Sequence, residues 1–211
     1  MKVILLSFIV YPFHGHGGMQ RYVYTLGKFL NKKGIDVEIV TSSAGNKNIR
    51  KVTYENVDFT LLNQKIGLEY KKNISIDNHY ENDVSIPYEY LLNIPIIRSI
   101  IFLFQYILFT IKVAVYLANN KFDILHSFKS NSLAYLLFFR KRKPVIVQPF
   151  ANEEFKHKEL KFKLYSIPYR SLLRYCVKKA DKVSSQGPNN TKDILQIYTI
   201  DPEKILFLKM V

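Results

Sequence analysis

The sequence predicts a doubly wound α/β domain, in which about seven mostly parallel strands form one sheet with helices on both faces. Short runs of β-branched and aliphatic residues recur along the chain, as expected of strands that are buried on both sides. Amphipathic helical stretches separate these runs, and such alternation is typical of right-handed βαβ units. Ligands of such sheets bind outside the carboxyl ends of the strands. The candidate loops are therefore 9–18, 42–48, 127–132 and 149–156.

The first βα unit has the clearest pattern. Val3–Phe8 is an unbroken apolar run and predicts the first strand. After a glycine-containing loop, apolar residues at spacings of three and four predict a helix over 19–33. Gly34 then gives the chain a residue suited to ending that helix, and Asp36–Thr41 predicts the second strand.

The rest of the chain continues the alternation after one interruption. Val57–Leu62 predicts a third strand, and residues 63–93 are polar and rich in Asn, Lys and Tyr. We interpret 63–93 as an insertion or mobile loop within a single domain that covers 1–211. Later strands are predicted at Phe122–Phe128, Pro144–Pro149, Lys182–Ser185 and Ile205–Leu208, with helices near 94–118, 160–179 and 190–198.

Composition limits the functional classes. The chain has 211 residues, of which 14% are aromatic, so it has enough apolar surface for a folded core. Its 31 Lys and Arg against 17 Asp and Glu give a net charge of +14. Such a charge favours an anionic partner, which is a nucleic acid, a membrane surface or a phosphorylated substrate, although genome composition would enrich Lys as well. The single cysteine excludes a disulfide framework, and no Cys/His spacing suits a metal.

Two segments bear on membrane contact. The apolar run after Met1-Lys2 is followed by no small-residue cleavage site, so we interpret it as a strand of a cytoplasmic protein rather than as a signal peptide. Residues 99–111 carry no charge but are too few to span a bilayer, which takes about 20 residues. We expect a buried or interfacial helix there. The basic residues Arg140, Lys141, Arg142 and Lys143 are either anion or membrane contacts or ordinary solvated surface.

The loop with Gly15, Gly17 and Gly18 is the strongest candidate for a site. Glycines between a first strand and a first helix let the backbone approach a ligand closely, and the helix start offers free N–H groups to a phosphate. The pattern is not the dinucleotide motif, because Gln20 stands at its last glycine position, and it lacks the Lys-Ser/Thr pair of a P-loop. A plain tight turn is the alternative interpretation.

The segment from Lys2 to Thr41 resembles the opening of family 4 retaining glycosyltransferases, which have the GT-B fold. It runs KVILLSF, GG and QRYVYTLGKFLNKKGIDVEIVT, and it matches the family pattern at Gly17, Gly18, Val23, Leu26, Leu30, Gly34, Val37 and Thr41. The likeness continues through 122–126 (FDILH), 144–147 (PVIV), 180–185 (ADKVSS) and 202–205 (PEKI). The resemblance implies a Rossmann-like, N-terminal domain on the acceptor side of the enzyme.

Two departures limit what can be carried over. Gln148 follows the fifth strand at the place where many relatives have a histidine beside the transferred sugar. The chain also ends at Val211, where the linker to the family's nucleotide-sugar domain would begin. We therefore expect this chain to be inactive alone, and we assign no catalytic residue. For the donor diphosphate or substrate, the resemblance and the loop chemistry together suggest Gly17, Gly18, His16, Arg21 and His126.

The expected reaction is transfer of a sugar from a nucleotide sugar to an envelope, lipid-linked or polysaccharide acceptor. In the family this chemistry needs no metal, so we expect no cofactor. The partners would be the chain's own C-terminal domain and an anionic inner membrane surface. A non-catalytic sugar- or phosphate-binding module is the main alternative. A basic nucleic-acid-binding domain is a further one, although no recognition motif for nucleic acid is present.

Overall fold

A computed structural model describes residues 1–43, 49–63, 95–150 and 160–207. Within them, eight strands form one sheet in the spatial order β3-β4-β2-β1-β5-β6-β7-β8. The strands are β1 Lys2–Leu6, β2 Asp36–Ser43, β3 Ile49–Tyr54, β4 Val57–Asn63, β5 Ile124–Phe128, β6 Val145–Gln148, β7 Lys182–Ser185 and β8 Ile205–Phe207. The helices are α1 Gly18–Lys32, α2 Pro95–Ala118, α3 Leu133–Phe138, α4 Leu160–Lys179 and α5 Pro188–Tyr198, with a 3₁₀ turn at Pro202–Lys204.

The helices lie on both faces of this sheet, which confirms the predicted fold class. Alternate residues of β1 divide between two cores, because successive side chains of a strand point to opposite faces. Val3 and Leu5 belong to the core that α1 covers. Ile4 and Leu6 belong to the core on the other face, which is covered by α2, α3, α4 and α5. Crossovers that run in opposite directions from β1 place their helices on opposite faces.

The sheet contains one strand that was not among the seven strands predicted from the sequence. β3 is an additional, antiparallel edge strand that pairs with β4 over Ile49–Tyr54. Its hairpin turn places Glu55 and Asn56 at φ 45° and 63°, the left-handed conformations that a two-residue turn of this type needs. Little in the local sequence indicates this hairpin, because Glu is a poor residue for positive φ and charged residues interrupt β3.

The predicted insertion at 63–93 lies almost entirely outside the described residues. After it, α2 is a 24-residue helix, as the apolar run suggested. Among the described helices, none combines the length and the hydropathy required to cross a membrane.

Candidate functional site

Three loops and the ends of two strands lie along the carboxyl edge of the parallel strands. They are the β1–α1 loop, the end of β2, the β5–α3 loop, the end of β6 and the β7–α5 loop. The β7–α5 loop was not among the candidate loops predicted from the sequence. This edge therefore gathers the sequence motifs into one region.

The β1–α1 loop is tied to the end of β2 by side-chain hydrogen bonds. The hydroxyl groups of Thr41 and Ser42 donate to the carbonyl oxygen of Phe8 at 3.1 and 2.7 Å. The ring of His14 lies 3.1 Å through Nε2 from the Ser42 hydroxyl, and its Nδ1 lies 3.2 Å from the backbone of Val10. These contacts hold the loop before the glycines, so the glycine segment starts from a fixed position.

His14 is a structural histidine and remains neutral. Burial lowers the pKa of His14 to about 4, against weaker opposing hydrogen bonds from the backbone. His16 differs from it, because His16 is exposed and its ring centroid lies 5.1 Å from that of Tyr11. Of the two loop histidines, His16 is thus the one that a ligand can reach.

The start of α1 is open to solvent. Gly17 is the N-cap residue and Gly18 the first helical residue, both are exposed, and no side chain caps the helix. The first turn contains no acidic residue, so nothing neutralises the positive end of the helix dipole there. A Cβ added at Gly18 would find no atom within 4 Å, so the space beside Gly18 is empty. Arg21 is exposed on the same turn.

Buried polar atoms without partners lie at the same edge of the sheet. Among them are the Tyr22 hydroxyl, His126 Nε2, Asn131 Oδ1 and Gln148 Nε2, none of which has a hydrogen-bond partner among the described residues. Buried polar atoms are normally paired, because leaving one unpaired costs about 1–3 kcal/mol. Several such atoms at one edge indicate a place where water or a ligand supplies the missing hydrogen bonds.

His126 lies in the middle of this group. It is paired with Leu5 of β1 and Ile146 of β6, and its ring stacks on Phe128 with centroids 4.7 Å apart. The residue is 4% exposed, and burial lowers its pKa to about 4, which a hydrogen bond with the Gln148 side chain opposes only in part. The imidazole is therefore neutral at pH 7.

Tyr22 and Phe150 pack over the same region, with ring centroids 5.1 Å apart. Both rings also lie near Phe128, at 6.1 and 5.9 Å. The structure thus brings His16, Gly17, Gly18 and Arg21 together at the surface and keeps His126 beneath aromatic rings.

The basic residues 140–143 lie elsewhere. They precede β6 and therefore sit at the amino edge, opposite the glycine loop. Arg142 has a structural role, since its guanidinium donates to the Asp181 carboxylate at 2.5 Å and to the carbonyl oxygen of Lys179 at 2.7 Å. Arg140, Lys141 and Lys143 are exposed. These four residues form no common site with the glycines.

Sequence reasoning passed over Tyr22, Asn131 and the polar character of Gln148. Gln148 was noted only as a departure from the family, yet the structure places it opposite Phe128 and beside Ser184. A glutamine at the end of an otherwise apolar buried strand was the available signal. Nothing in the sequence marked Tyr22, whose helical spacing is that of a core residue. Among the described residues, no group of three acidic, His or Cys side chains could hold a metal ion.

Comparison with known proteins identifies the class. The sequence model of Glycosyltransferase Family 4 matches residues 16–207, so the chain belongs to glycosyltransferase family 4. No curated protein matches it.

Solved structures of GT-B glycosyltransferases share its fold. Sucrose-phosphate synthase from Thermosynechococcus elongatus superimposes with a TM-score of 0.61 at 14% identity, over 98% of this chain and 47% of its own. The catalytic domain of starch synthase IV from Arabidopsis thaliana gives 0.55 at 12% identity, over 98% and 50%. A trehalose-6-phosphate synthase gives 0.52 at 14% identity, over 93% and 43%. The chain therefore spans about half the length of these proteins.

Proposed function

We propose that this chain is the acceptor-side half of a glycosyltransferase that moves a sugar from a nucleotide sugar to an envelope, lipid-linked or polysaccharide acceptor. The observation that carries the proposal is one juxtaposition at the carboxyl edge. An uncapped helix start with two exposed glycines lies at the same edge of the sheet as buried polar atoms that have no partners among the described residues. The family supports the type of reaction, and the net charge of +14 supports an anionic acceptor or its surroundings.

The proposed roles follow from where charge develops. As the bond between the sugar's anomeric carbon and the diphosphate breaks, negative charge grows on the leaving diphosphate. Backbone amides at Gly17 and Gly18, together with the Arg21 guanidinium and His16, would stabilise that charge without a metal. His126 is neutral and holds an unpartnered Nε2, which suits a hydrogen bond to an uncharged hydroxyl group of substrate. No catalytic residue is assigned.

We propose further that the donor nucleotide is held by a C-terminal domain that these 211 residues do not include. Transfer requires the two substrates to be held with reacting atoms about 3–3.5 Å apart, which takes two walls of a cleft. The glycine amides here face open solvent, where hydrogen bonds contribute little. By this reasoning the chain folds alone but transfers no sugar alone.

A titration of the 211-residue chain with UDP and ADP tests the site. We expect weak, millimolar binding that shifts the amide NMR signals of Gly17 and Gly18. Gly18→Val should remove it while the fold stays intact, because a Cβ there meets nothing within 4 Å. Gly187→Val is the control, since Gly187 is the N-cap residue of another helix that starts at this edge without a side-chain cap, and it also has room for a Cβ.

Three results would contradict the proposal. Micromolar nucleotide binding, or transfer from a nucleotide sugar by this chain alone, would mean that the donor site is complete in these residues. Equal losses in Gly18→Val and Gly187→Val would separate nucleotide binding from the β1–α1 loop. Shifts confined to the amino edge would place the anion site there instead.

We also propose that the protein acts in the cytoplasm, at the inner face of an anionic membrane that presents the acceptor. Two observations support this proposal: the net positive charge of the chain and the apolar helix α2.

A further inference from the structure

One face of α2 is exposed although it consists of large apolar side chains. Ile100, Phe104, Ile111 and Val115 are 61%, 53%, 41% and 58% exposed. Their spacings of four, seven and four residues place them in one stripe along the helix, about 22 Å long at 1.5 Å per residue. The opposite side of α2 is fully used, since residues such as Phe109 are buried in the core. The side chains of the stripe therefore do not belong to the hydrophobic core.

α3 packs against α2 on the same face of the sheet, and it too has exposed apolar residues. Leu137 and Phe138 at the end of α3 are 51% and 70% exposed. The chain then continues directly into the exposed residues Arg140 and Lys141. We call the α2 stripe, Leu137, Phe138, Arg140 and Lys141 together the outer face.

The segment of the sequence that carries the outer face is strongly basic. Residues 90–152 contain eight Lys and Arg and a single acidic residue, Asp123. Asp123 is engaged at the start of β1, where its carboxylate accepts a hydrogen bond from the Lys2 amide at 2.7 Å. A second copy of the chain would bring the same positive charge to a two-fold interface, so self-association through this face is disfavoured.

We infer that the outer face docks on an anionic lipid surface, with α2 lying in the plane of the interface. The apolar stripe would enter the boundary between headgroups and acyl chains, and Arg140 and Lys141 would bind lipid phosphates. A helix with one long apolar face and neighbouring basic residues is suited to this position. The inference deepens the membrane partner proposed above by naming the docking face, and it stands apart from the chemistry of sugar transfer.

Tryptophan reporters test this insertion directly, because the chain contains no tryptophan. We place one reporter in the stripe as Phe104→Trp and a matched one as Phe207→Trp, whose native side chain is 59% exposed on β8. Vesicles of phosphatidylcholine, with and without about a third of phosphatidylglycerol, are added to each variant of the full chain. We expect a blue shift and quenching by brominated acyl chains only for Phe104→Trp, only with anionic vesicles, and less at high salt.

Charge reversal tests the basic part of the same face. Arg140→Glu with Lys141→Glu should lower vesicle partitioning at least tenfold. Lys32→Glu with Lys33→Glu makes the same change in net charge at the exposed end of α1, on the other side of the sheet, and should lower it far less. Circular dichroism confirms that each variant is folded.

Several results would overturn the inference. It fails if the vesicles do not bind, if they bind without shifting the Phe104→Trp emission, or if the two charge-reversed pairs lose equal amounts of binding. A concentration-dependent blue shift without lipid would indicate a protein partner or a second copy instead. None of these readouts involves nucleotide. Failure here is therefore distinguishable from failure of the UDP and ADP titration.

Discussion

The two edges of the sheet differ in how completely their buried polar side chains are hydrogen-bonded. At the amino edge, Glu38 is 5% exposed and its carboxylate is fully engaged. It pairs with Lys2 Nζ at 2.7 Å, accepts from the Thr60 hydroxyl at 2.5 Å, and also accepts from the Tyr116 hydroxyl. Burial alone would raise the pKa of Glu38, but these hydrogen bonds outweigh it and lower the pKa below its usual value.

At the carboxyl edge, Thr41 and Ser42 are hydrogen-bonded, but two larger buried polar side chains are only partly paired. His126 and Gln148 each leave a buried nitrogen without a hydrogen bond among the described residues. Their burial matches that of Glu38, at 4% and 1% exposed. The difference is therefore one of pairing rather than of depth.

A recess alone does not identify a ligand-binding site in this sheet. The amino edge has a recess of about 250 Å³ lined by Lys2, Glu38, Asp58, Thr60 and other residues. Its buried carboxylate serves to hold β1, β2, β4 and α2 together. Unpaired polar groups persist mainly where function requires them, and here they lie at the other edge.

Removing the Glu38 carboxylate should have the largest effect. Glu38→Ala would leave Thr60 and Tyr116 hydroxyl groups and the Lys2 ammonium without their common partner. Breaking a buried ion pair costs about 3–5 kcal/mol, and the partial exposure of Lys2 places this case near the lower value. Urea unfolding followed by circular dichroism measures the loss.

Glu55→Ala is the control for that experiment. Glu55 also bonds a lysine and a tyrosine, Lys28 and Tyr24, but its pair with Lys28 is exposed. We expect little change in stability. Equal destabilisation by Glu38→Ala and Glu55→Ala would contradict the distinction between a buried and an exposed network.

Acid should destabilise the two edges in different pH windows. His14 and His126 have pKa values of about 4 in the folded state, below their usual 6.5, so only the unfolded chain gains protons between these values. The stability is therefore complete above pH 6.5 and falls as the pH drops towards 4. By pH 5 each histidine should cost about 2 kcal/mol.

The contribution of Glu38 has a lower window. Its folded pKa lies below its usual 4.5, so its stabilisation is present above 4.5 and is lost as the pH falls through the folded value. Urea unfolding of His126→Leu and Glu38→Gln from pH 7 to pH 3 separates the two. His126→Leu should reduce the slope between pH 6.5 and 4, while His14 keeps its own part of it, and should leave the slope at lower pH unchanged. A change confined to lower pH would refute the assignment.

The fold could be predicted from the sequence because its signals are local. The apolar runs of β1 and β6 and the helical spacing of α1 define the βα units, and right-handed crossover then fixes the faces on which the helices lie. β3 escaped this reasoning because its pairing depends on a two-residue turn at Glu55-Asn56 that local propensity does not favour.

Only part of the candidate site could be predicted from the sequence. Gly17 and Gly18 form a glycine pair between the first strand and the first helix, and such a pair can be seen directly in the sequence. Tyr22 and Gln148 come from different elements, and their relation to His126 depends on register across three strands and one helix. Likewise, nothing local tells Arg142, which pairs with Asp181, from the solvent-exposed Arg140 beside it.

The smallest change in stability should come from Gln148→Leu, which tests whether a buried polar side chain at the carboxyl edge contributes to the fold. Gln148 has a long hydrogen bond, 3.4 Å from the Ser184 hydroxyl to Oε1, and an unpartnered Nε2. Leucine has a similar size and needs no hydrogen bonds, so the loss of a weak bond is offset by removing an unpaired amide. We expect a change in unfolding free energy within about 1 kcal/mol, in either direction. Urea unfolding gives that value, and Glu38→Leu at the amino edge is the matched polar-to-apolar change, for which a much larger loss is expected. A loss of 3 kcal/mol or more in Gln148→Leu would mean that the glutamine is a structural group like Glu38 and that its amide is not available to a substrate.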